Sequence, residues 1–246
     1  MHRFYVNEDH IIQDIITITG SDVNHIKNVL RMKAGDEIVI CNGQGKDCYC
    51  IIRSVCDLKV EANISSIIDS DTELPVKITL FQGLPKSDKM ELIIQKAVEL
   101  GVHEIVPVMM ARSIVKYSDR KKEEKKLARW QSISESAAKQ SRRGIIPKIH
   151  PIISYKEAIS KASKMDLSVL AYENERGIQA TKDILQGLEN HSTSGIFIGP
   201  EGGFDLSEVE LASEFDIIPI SLGRRILRTE TAGIALLSMM MLYLEK

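Results

Sequence analysis

The sequence predicts a two-part chain: a small β-barrel over residues 1–72, then over residues 73–246 an α/β unit whose mostly parallel sheet carries helices on both faces. Three observations predict it. Residues 1–72 hold short strand-like runs joined by turns and broken by a single helical segment. The stretch Asp69-Ser70-Asp71-Thr72-Glu73-Leu74-Pro75 is polar and ends in proline, the mark of a linker. Beyond it, apolar runs too short for helices alternate with segments of helical period.

In the first part, strands are expected at residues 3–6, 37–41, 47–55 and 59–68. Asn42-Gly43 lies between the second and third, a strong hairpin signal. A helix is expected over residues 21–32, capped by Ser21, with Val23, Ile26, Val29 and Leu30 as its apolar stripe. In the second part, residues 76–81 read as a strand, and Ser87 caps a helix that Gly101 ends. Residues 104–109 form the next strand, and a long polar helix covers residues 119–141. Strands at residues 167–172, 195–198 and 217–221 then alternate with helices near Tyr155, Ile178, Ser207 and Thr229. Ser207 and Glu210 have the spacing of a capping box.

Composition excludes several classes. Residues 1–5 show no basic stretch followed by an apolar one, so no secretory leader is expected. The longest apolar stretch, residues 233–244, is shorter than the ~20 residues that cross a bilayer. It reads as a helix buried on most of its faces, in the core or at a subunit contact; the protein is expected in the cytoplasm. Cys41, Cys48, Cys50 and Cys56 contain no C-x-x-C pair, and Cys48 and Cys50 alternate along a strand as small apolar side chains. The six histidines are scattered without ligand spacing, so no metal is expected.

Charge is nearly balanced overall but unevenly spread. Residues 111–148 carry twelve Lys and Arg against four acids. Part of this excess, Lys121-Lys122-Glu123-Glu124-Lys125-Lys126, suits a solvated helix face with i,i+4 pairs. The run Lys139-Gln140-Ser141-Arg142-Arg143-Gly144 has no neighbouring acid and fits a phosphate backbone better. Residues 1–72 carry seven basic against eleven acidic residues, which argues against RNA binding there through bulk charge.

Two loops near the C-terminal end carry the chemistry. Gly199-Pro200-Glu201-Gly202-Gly203-Phe204 follows a short apolar strand; Leu222-Gly223-Arg224-Arg225-Ile226-Leu227-Arg228-Thr229-Glu230-Thr231-Ala232 leads into the buried helix. The first loop alone is equally a tight turn into a helix. The pair suggests one ligand site, because ligands of parallel sheets gather at the carboxyl ends of strands. Neither loop matches the G-x-G-x-x-G of a dinucleotide site, and Gly83-Leu84-Pro85-Lys86-Ser87 lacks the glycines of a P-loop.

Gln82-Gly83-Leu84-Pro85-Lys86-Ser87-Asp88-Lys89-Met90-Glu91 and the two C-terminal loops resemble the three signature segments of the RsmE family of 16S ribosomal RNA methyltransferases, in the SPOUT superfamily. The resemblance implies a PUA-like N-terminal barrel that binds RNA and a C-terminal domain tied in a trefoil knot. It also implies S-adenosylmethionine as cofactor, methylation of a uridine at N3, 16S ribosomal RNA as partner, and a homodimer. The Met239-Met240-Met241-Leu242 stretch offers a dimer surface. On this reading Gly199, Pro200, Glu201 and Gly202 form one wall of the cofactor pocket, Leu222, Gly223, Ile226, Leu227 and Thr231 another, and Leu84, Tyr172 and Glu173 close it.

Methylation requires that uridine N3 lose its proton. Glu230 or Glu201 is available as general base; alternatively Arg228 stabilises the anion developing on the uracil oxygens. Arg228 is favoured, because an acid at Glu230 also suits the first turn of a helix, and Glu201 suits fastening its own loop. Lys86, Arg112, Arg142, Arg143, Arg224 and Arg225 are expected along the RNA phosphates, with Arg3, Arg31 and Lys33 as a local patch on the barrel. A catalytically silent RNA-binding or ribosome-assembly factor of the same fold is the alternative.

Overall fold

In the first strands, alternate side chains point to one side and bury Phe4, Ile16, Ile18, Ile38, Ile40, Cys48, Cys50, Ile52, Val60 and Ala62 in one core. The computed structural model describes residues 1–86, 88–114, 120–175 and 177–245, residue 120 by its backbone alone. It falls into two compact units, residues 1–73 with 138–146, and residues 74–137 with 147–246. The Ser87 cap and the expected start of the polar helix at residue 119 lie outside the described residues.

The first unit holds β1 (His2–Tyr5), β2 (Ile11–Ile12), β3 (Ile15–Thr19), α1 (Ser21–Asn24), β4 (Glu37–Cys41), β5 (Lys46–Val55) and β6 (Lys59–Asp69). They make a six-stranded sheet in the order β1-β4-β5-β6-β3-β2, parallel only between β1 and β4. The Asn42-Gly43 turn joins β4 to β5, with Gly43 at φ 72°. Burial pushes the Cys50 thiol up to about 12, so it packs as an apolar group.

Three expectations need correction here. Strand β3 was not foreseen, although Ile-Ile-Thr-Ile-Thr alternates as a strand should. Ser21 is the first helical residue and not the cap; Gly20 precedes it with no side-chain cap. The helix then widens into a π turn over His25–Val29, where the Leu30 N–H reaches the His25 carbonyl. That extra residue per turn rotates Val29 out to 61 % exposure, while Val23 and Ile26 stay buried.

The stretch expected as a linker, residues 69–75, holds the boundary between the two units and is fastened to the first of them at Glu73. Glu73 accepts from the amides of Gly144 (2.8 Å) and Ile145 (3.2 Å) and from the Arg143 guanidinium. Arg143 is thereby 3 % exposed, and Arg3 is held by Asp47 at 2.7 Å. Contrary to expectation, neither guanidinium is free for RNA. The acid missing beside Arg143 in the sequence comes from seventy residues away. Arg31, Lys33 and Arg142 remain exposed.

The second unit alternates as expected: β7 (Lys77–Gly83), α2 (Lys89–Glu99), β8 (Glu104–Met109), α3 (Arg120–Gln140, whose last turn enters the first unit), β9 (Lys148–Ile149), β10 (Ile153–Ser154), α4 (Tyr155–Ala162), β11 (Leu167–Ala171), α5 (Gln179–Gln186), β12 (Thr193–Ile198), α6 (Leu206–Glu214), β13 (Ile218–Ile220) and α7 (Thr229–Leu244). All pairings are parallel, in the order β10-β8-β7-β12-β11-β13 with β9 beside β8. Central strands read as unbroken apolar runs because both faces are covered. Phe81 and Phe197, neighbours on β7 and β12, stack at 4.5 Å in the core.

The cap of α6 is corrected. Asp205, not Ser207, is the N-cap, accepting from Ser207, and Glu208 rather than Glu210 closes the box by accepting the Asp205 N–H at 2.9 Å. Glu208 also accepts from Ala111 at 2.8 Å, which a surface Glu210 would not do.

Candidate functional site

Strands β7, β11, β12 and β13 all end on the same side, and the loops after β11, β12 and β13, with Lys89 at the start of α2, enclose a cavity of about 450 Å³. This is the position where ligands of parallel sheets collect, and the volume lies within the range of small-molecule sites. One wall is the β12–α6 loop, residues 199–204; another is the β13–α7 loop, residues 222–228; Ala171 at the end of β11, with Tyr172 and Glu173 after it, forms a third.

Each wall is fastened by named bonds. Fully buried Gln82, near the end of β7, donates to the Thr229 hydroxyl at 2.9 Å, and Thr229 donates to the Gly199 carbonyl at 2.6 Å. This relay ties β7, the β12 loop and the start of α7. Glu201 accepts the Lys86 N–H at 3.1 Å and pairs with Lys89 at 3.1 Å. Burial pushes its carboxyl up, but those partners and its own amide outweigh burial and hold it below the ordinary range. Arg112 donates to the Gly202 carbonyl at 3.0 Å and reaches Asp205 at 3.3 Å. A Cβ at Gly83 would sit 2.7 Å from the Pro200 nitrogen, so only glycine lets β7 run this close to the loop. Gly202 is confined from the protein side as well, since a Cβ there would meet Arg112 at 3.0 Å.

The sequence-predicted residues sort cleanly. Tyr172, Glu173, Gly199, Pro200, Glu201, Gly202, Leu222, Gly223, Ile226 and Leu227 line the cavity, as do Arg224, Arg225 and Arg228. Leu84 does not: it is buried, with its N–H on the Val108 carbonyl. Thr231 is exposed and is not part of the lining either. Glu230 stands outside the lining, its side chain 15 % exposed and Oε2 3.3 Å from Lys89. Lys86 is exposed, whereas Arg112 serves the loop. Gly203, Phe204, Thr229 and Ala232, within the two loops read as one site, also line the cavity, as do Lys89, Ala171 and Ile198, which the sequence did not single out. Lys89 stands within a signature segment, but two acids that meet it 112 and 141 residues later leave no local signal.

The lining fits an adenosyl sulfonium cofactor. Two loops offer main-chain groups for a purine edge, and Ile198, Leu227 and Ile226 offer apolar flanks. Ile226 stands 85 % exposed at the rim, an apolar surface that such a ligand would cover. Among the described residues no group of His, Cys, Asp and Glu could hold a metal ion.

The family model described as an RNA methyltransferase domain matches residues 72–241, and that of an RNA methyltransferase PUA domain matches residues 18–64. Ribosomal RNA small subunit methyltransferase E of Bacillus subtilis is 42 % identical over 225 residues, covering 90 % of this chain and 88 % of that protein. The chain belongs to the ribosomal RNA small subunit methyltransferase E family. The member from Mesomycoplasma hyopneumoniae is 37 % identical over 97 % of this chain and 98 % of its own. The crystal structure of the Neisseria gonorrhoeae methyltransferase E, bound to S-adenosyl methionine, superposes with a TM-score of 0.79 at 34 % identity, covering 98 % of this chain and 96 % of that one. The mostly parallel sheet and N-terminal PUA domain are thus those of methyltransferase E.

Proposed function

We propose that this chain methylates N3 of a uridine in 16S ribosomal RNA, with S-adenosylmethionine held in the cavity between the β12–α6 and β13–α7 loops. The observation that carries the reading is that both signature loops and the turn after β11 converge on one cavity at the carboxyl ends of the strands. Membership of the methyltransferase E family and the cofactor bound in the Neisseria gonorrhoeae relative support it.

Bound S-adenosylmethionine supplies an electrophilic methyl on sulfonium, whose C–S electron pair stays on sulfur as the new N–C bond forms. The chain must hold N3 in line with that carbon and keep water away. Arg228, among the residues lining the cavity, would stabilise the negative charge developing on the uracil oxygens and so ease loss of the N3 proton to water. Glu230 lies outside the lining, beside Lys89, which favours the arginine route over a carboxylate base. Arg224, Arg225 and Lys86, which are exposed, would meet phosphates of an RNA that presents its base unstacked. On the first unit, exposed Arg31 and Lys33 of the PUA-like stretch over residues 1–72, together with exposed Arg142, are candidates for phosphate contacts of their own.

The same reading includes a trefoil-knotted SPOUT domain over residues 73–246, a homodimer, and work in the cytoplasm on the small ribosomal subunit. No described helix is long and apolar enough to cross a membrane. The test is to incubate the protein with methyl-labelled S-adenosylmethionine and either small subunits or naked 16S RNA, then map the label. One labelled uridine, blocked at its Watson–Crick edge, is expected; no label in either RNA overturns the proposal.

A further inference from the structure

Lys89 opens α2, and its Nζ lies 3.1 Å from Glu201 Oε1 and 3.3 Å from Glu230 Oε2. The two carboxylates belong to the β12–α6 loop and the first turn of α7, so a single ammonium joins segments that lie far apart in sequence. Glu201 is held from the other side by the Lys86 N–H, at 3.1 and 3.3 Å to its two oxygens. Lys89 itself is on the cavity wall. We propose that Lys89 is a positioning residue that fixes the spacing of the two cofactor walls by bridging Glu201 and Glu230.

The inference rests on the cofactor reading of the cavity. It differs from an electrostatic role for the same lysine. Removing an ammonium near a cationic ligand would by itself favour S-adenosylmethionine, which carries one more positive charge than S-adenosylhomocysteine. Loss of a wall spacer instead weakens both ligands together. The hydrogen bonds to Glu201 keep Lys89 an ammonium, its pKa raised above the ordinary lysine value despite some desolvation. The bridge is therefore present across neutral pH. Partly exposed ion pairs contribute modestly one at a time, so two of them sharing one cation set the scale at about three- to tenfold in affinity.

Calorimetric titration of the full chain with S-adenosylmethionine and with S-adenosylhomocysteine tests it, using Lys89→Met and Lys89→Arg. Lys89→Met is expected to weaken both ligands by about three- to tenfold, and Lys89→Arg to recover most of the loss. Unchanged binding of both, or tighter S-adenosylmethionine binding alone, overturns the proposal. Hydrogen exchange without ligand gives a second reading that does not depend on the cofactor. The Lys86 amide, donor to Glu201, should exchange faster in Lys89→Met than in wild type, and equal rates overturn the bridge. If the wild-type chain bound neither ligand, the cofactor reading would fail, while the exchange result would still decide the bridge.

Discussion

Arg228 and Glu230 are two residues apart, yet the fold separates them: Arg228 is among the residues that line the cavity, whereas Glu230 is not and has its carboxylate 3.3 Å from Lys89. If Arg228 stabilises the uracil anion, Arg228→Ala lowers kcat by about 100-fold or more, the scale of losing one charge-stabilising donor. Glu230→Gln then costs less than about tenfold, whereas loss of a true general base costs about 100-fold or more. Single-turnover methyl transfer at saturating cofactor separates the two. Arg143 illustrates the opposite fate of a basic residue. Cutting it to Met leaves the Glu73 carboxylate without its cation, a rupture that costs about 3–5 kcal/mol for a buried pair. The amides of Gly144 and Ile145 still serve that carboxylate, which puts the expected loss at the low end, about 3 kcal/mol. Urea denaturation of Arg143→Met measures it, and a loss below about 1 kcal/mol, the range of surface pairs, would return Arg143 to the solvated class.

At the scale of elements, Glu104 shows how β8 is locked to its surroundings. Its carboxylate accepts from Thr79 of β7 at 3.0 Å, from Lys161 of α4 at 2.7 Å, and contacts the His150 ring at 2.6 Å. Burial pushes the carboxyl up, but the bonds from His150 and Lys161 outweigh it and hold the group well below the usual carboxylate range. A depressed folded-state pKa stabilises the fold above the unfolded carboxylate value, about 4.3, and that stability fades as pH falls through the folded value. Glu104→Gln should therefore be less stable than wild type at pH 7, with the gap narrowing below about pH 4. Denaturant midpoints at pH 7 and pH 3 check it, and an equal gap at both would refute the linkage. Elements of this kind were legible where the signal is local: apolar runs bounded by turns gave β7, β8, β11 and β12, and the two glycine-rich loops gave the cavity walls. What was not legible depends on distance or on a changed period. The π turn breaks the 3.6-residue repeat at Val29, and the Arg143–Glu73 and Lys89–Glu201 pairs join residues that only the fold brings together.

For the whole molecule, α7 poses the question of assembly. One side of it, with Leu236, Leu237, Met240 and Leu244, is buried, and α2 packs against it. The Met239–Leu242 stretch is thus divided: Met240 faces the core, Met239 and Met241 are half-buried, and Leu242 stands 75 % exposed beside a 39 % exposed Tyr243. A polar replacement would be expected at such positions if they faced only water, and an apolar helix end is the composition of an interface centre. A stable dimer covers roughly 800 Å² per partner, with a few central side chains carrying most of the energy. If α7 provides that centre, the wild-type chain sediments at about twice its 27.5 kDa mass. Leu242→Glu, which costs the folded protomer little because the side chain is already exposed, should then sediment as a monomer with an unchanged thermal profile for the protomer core. A wild type that stays monomeric at all concentrations would remove the homodimer. A dimer that survives Leu242→Glu would place its interface elsewhere than on this end of α7.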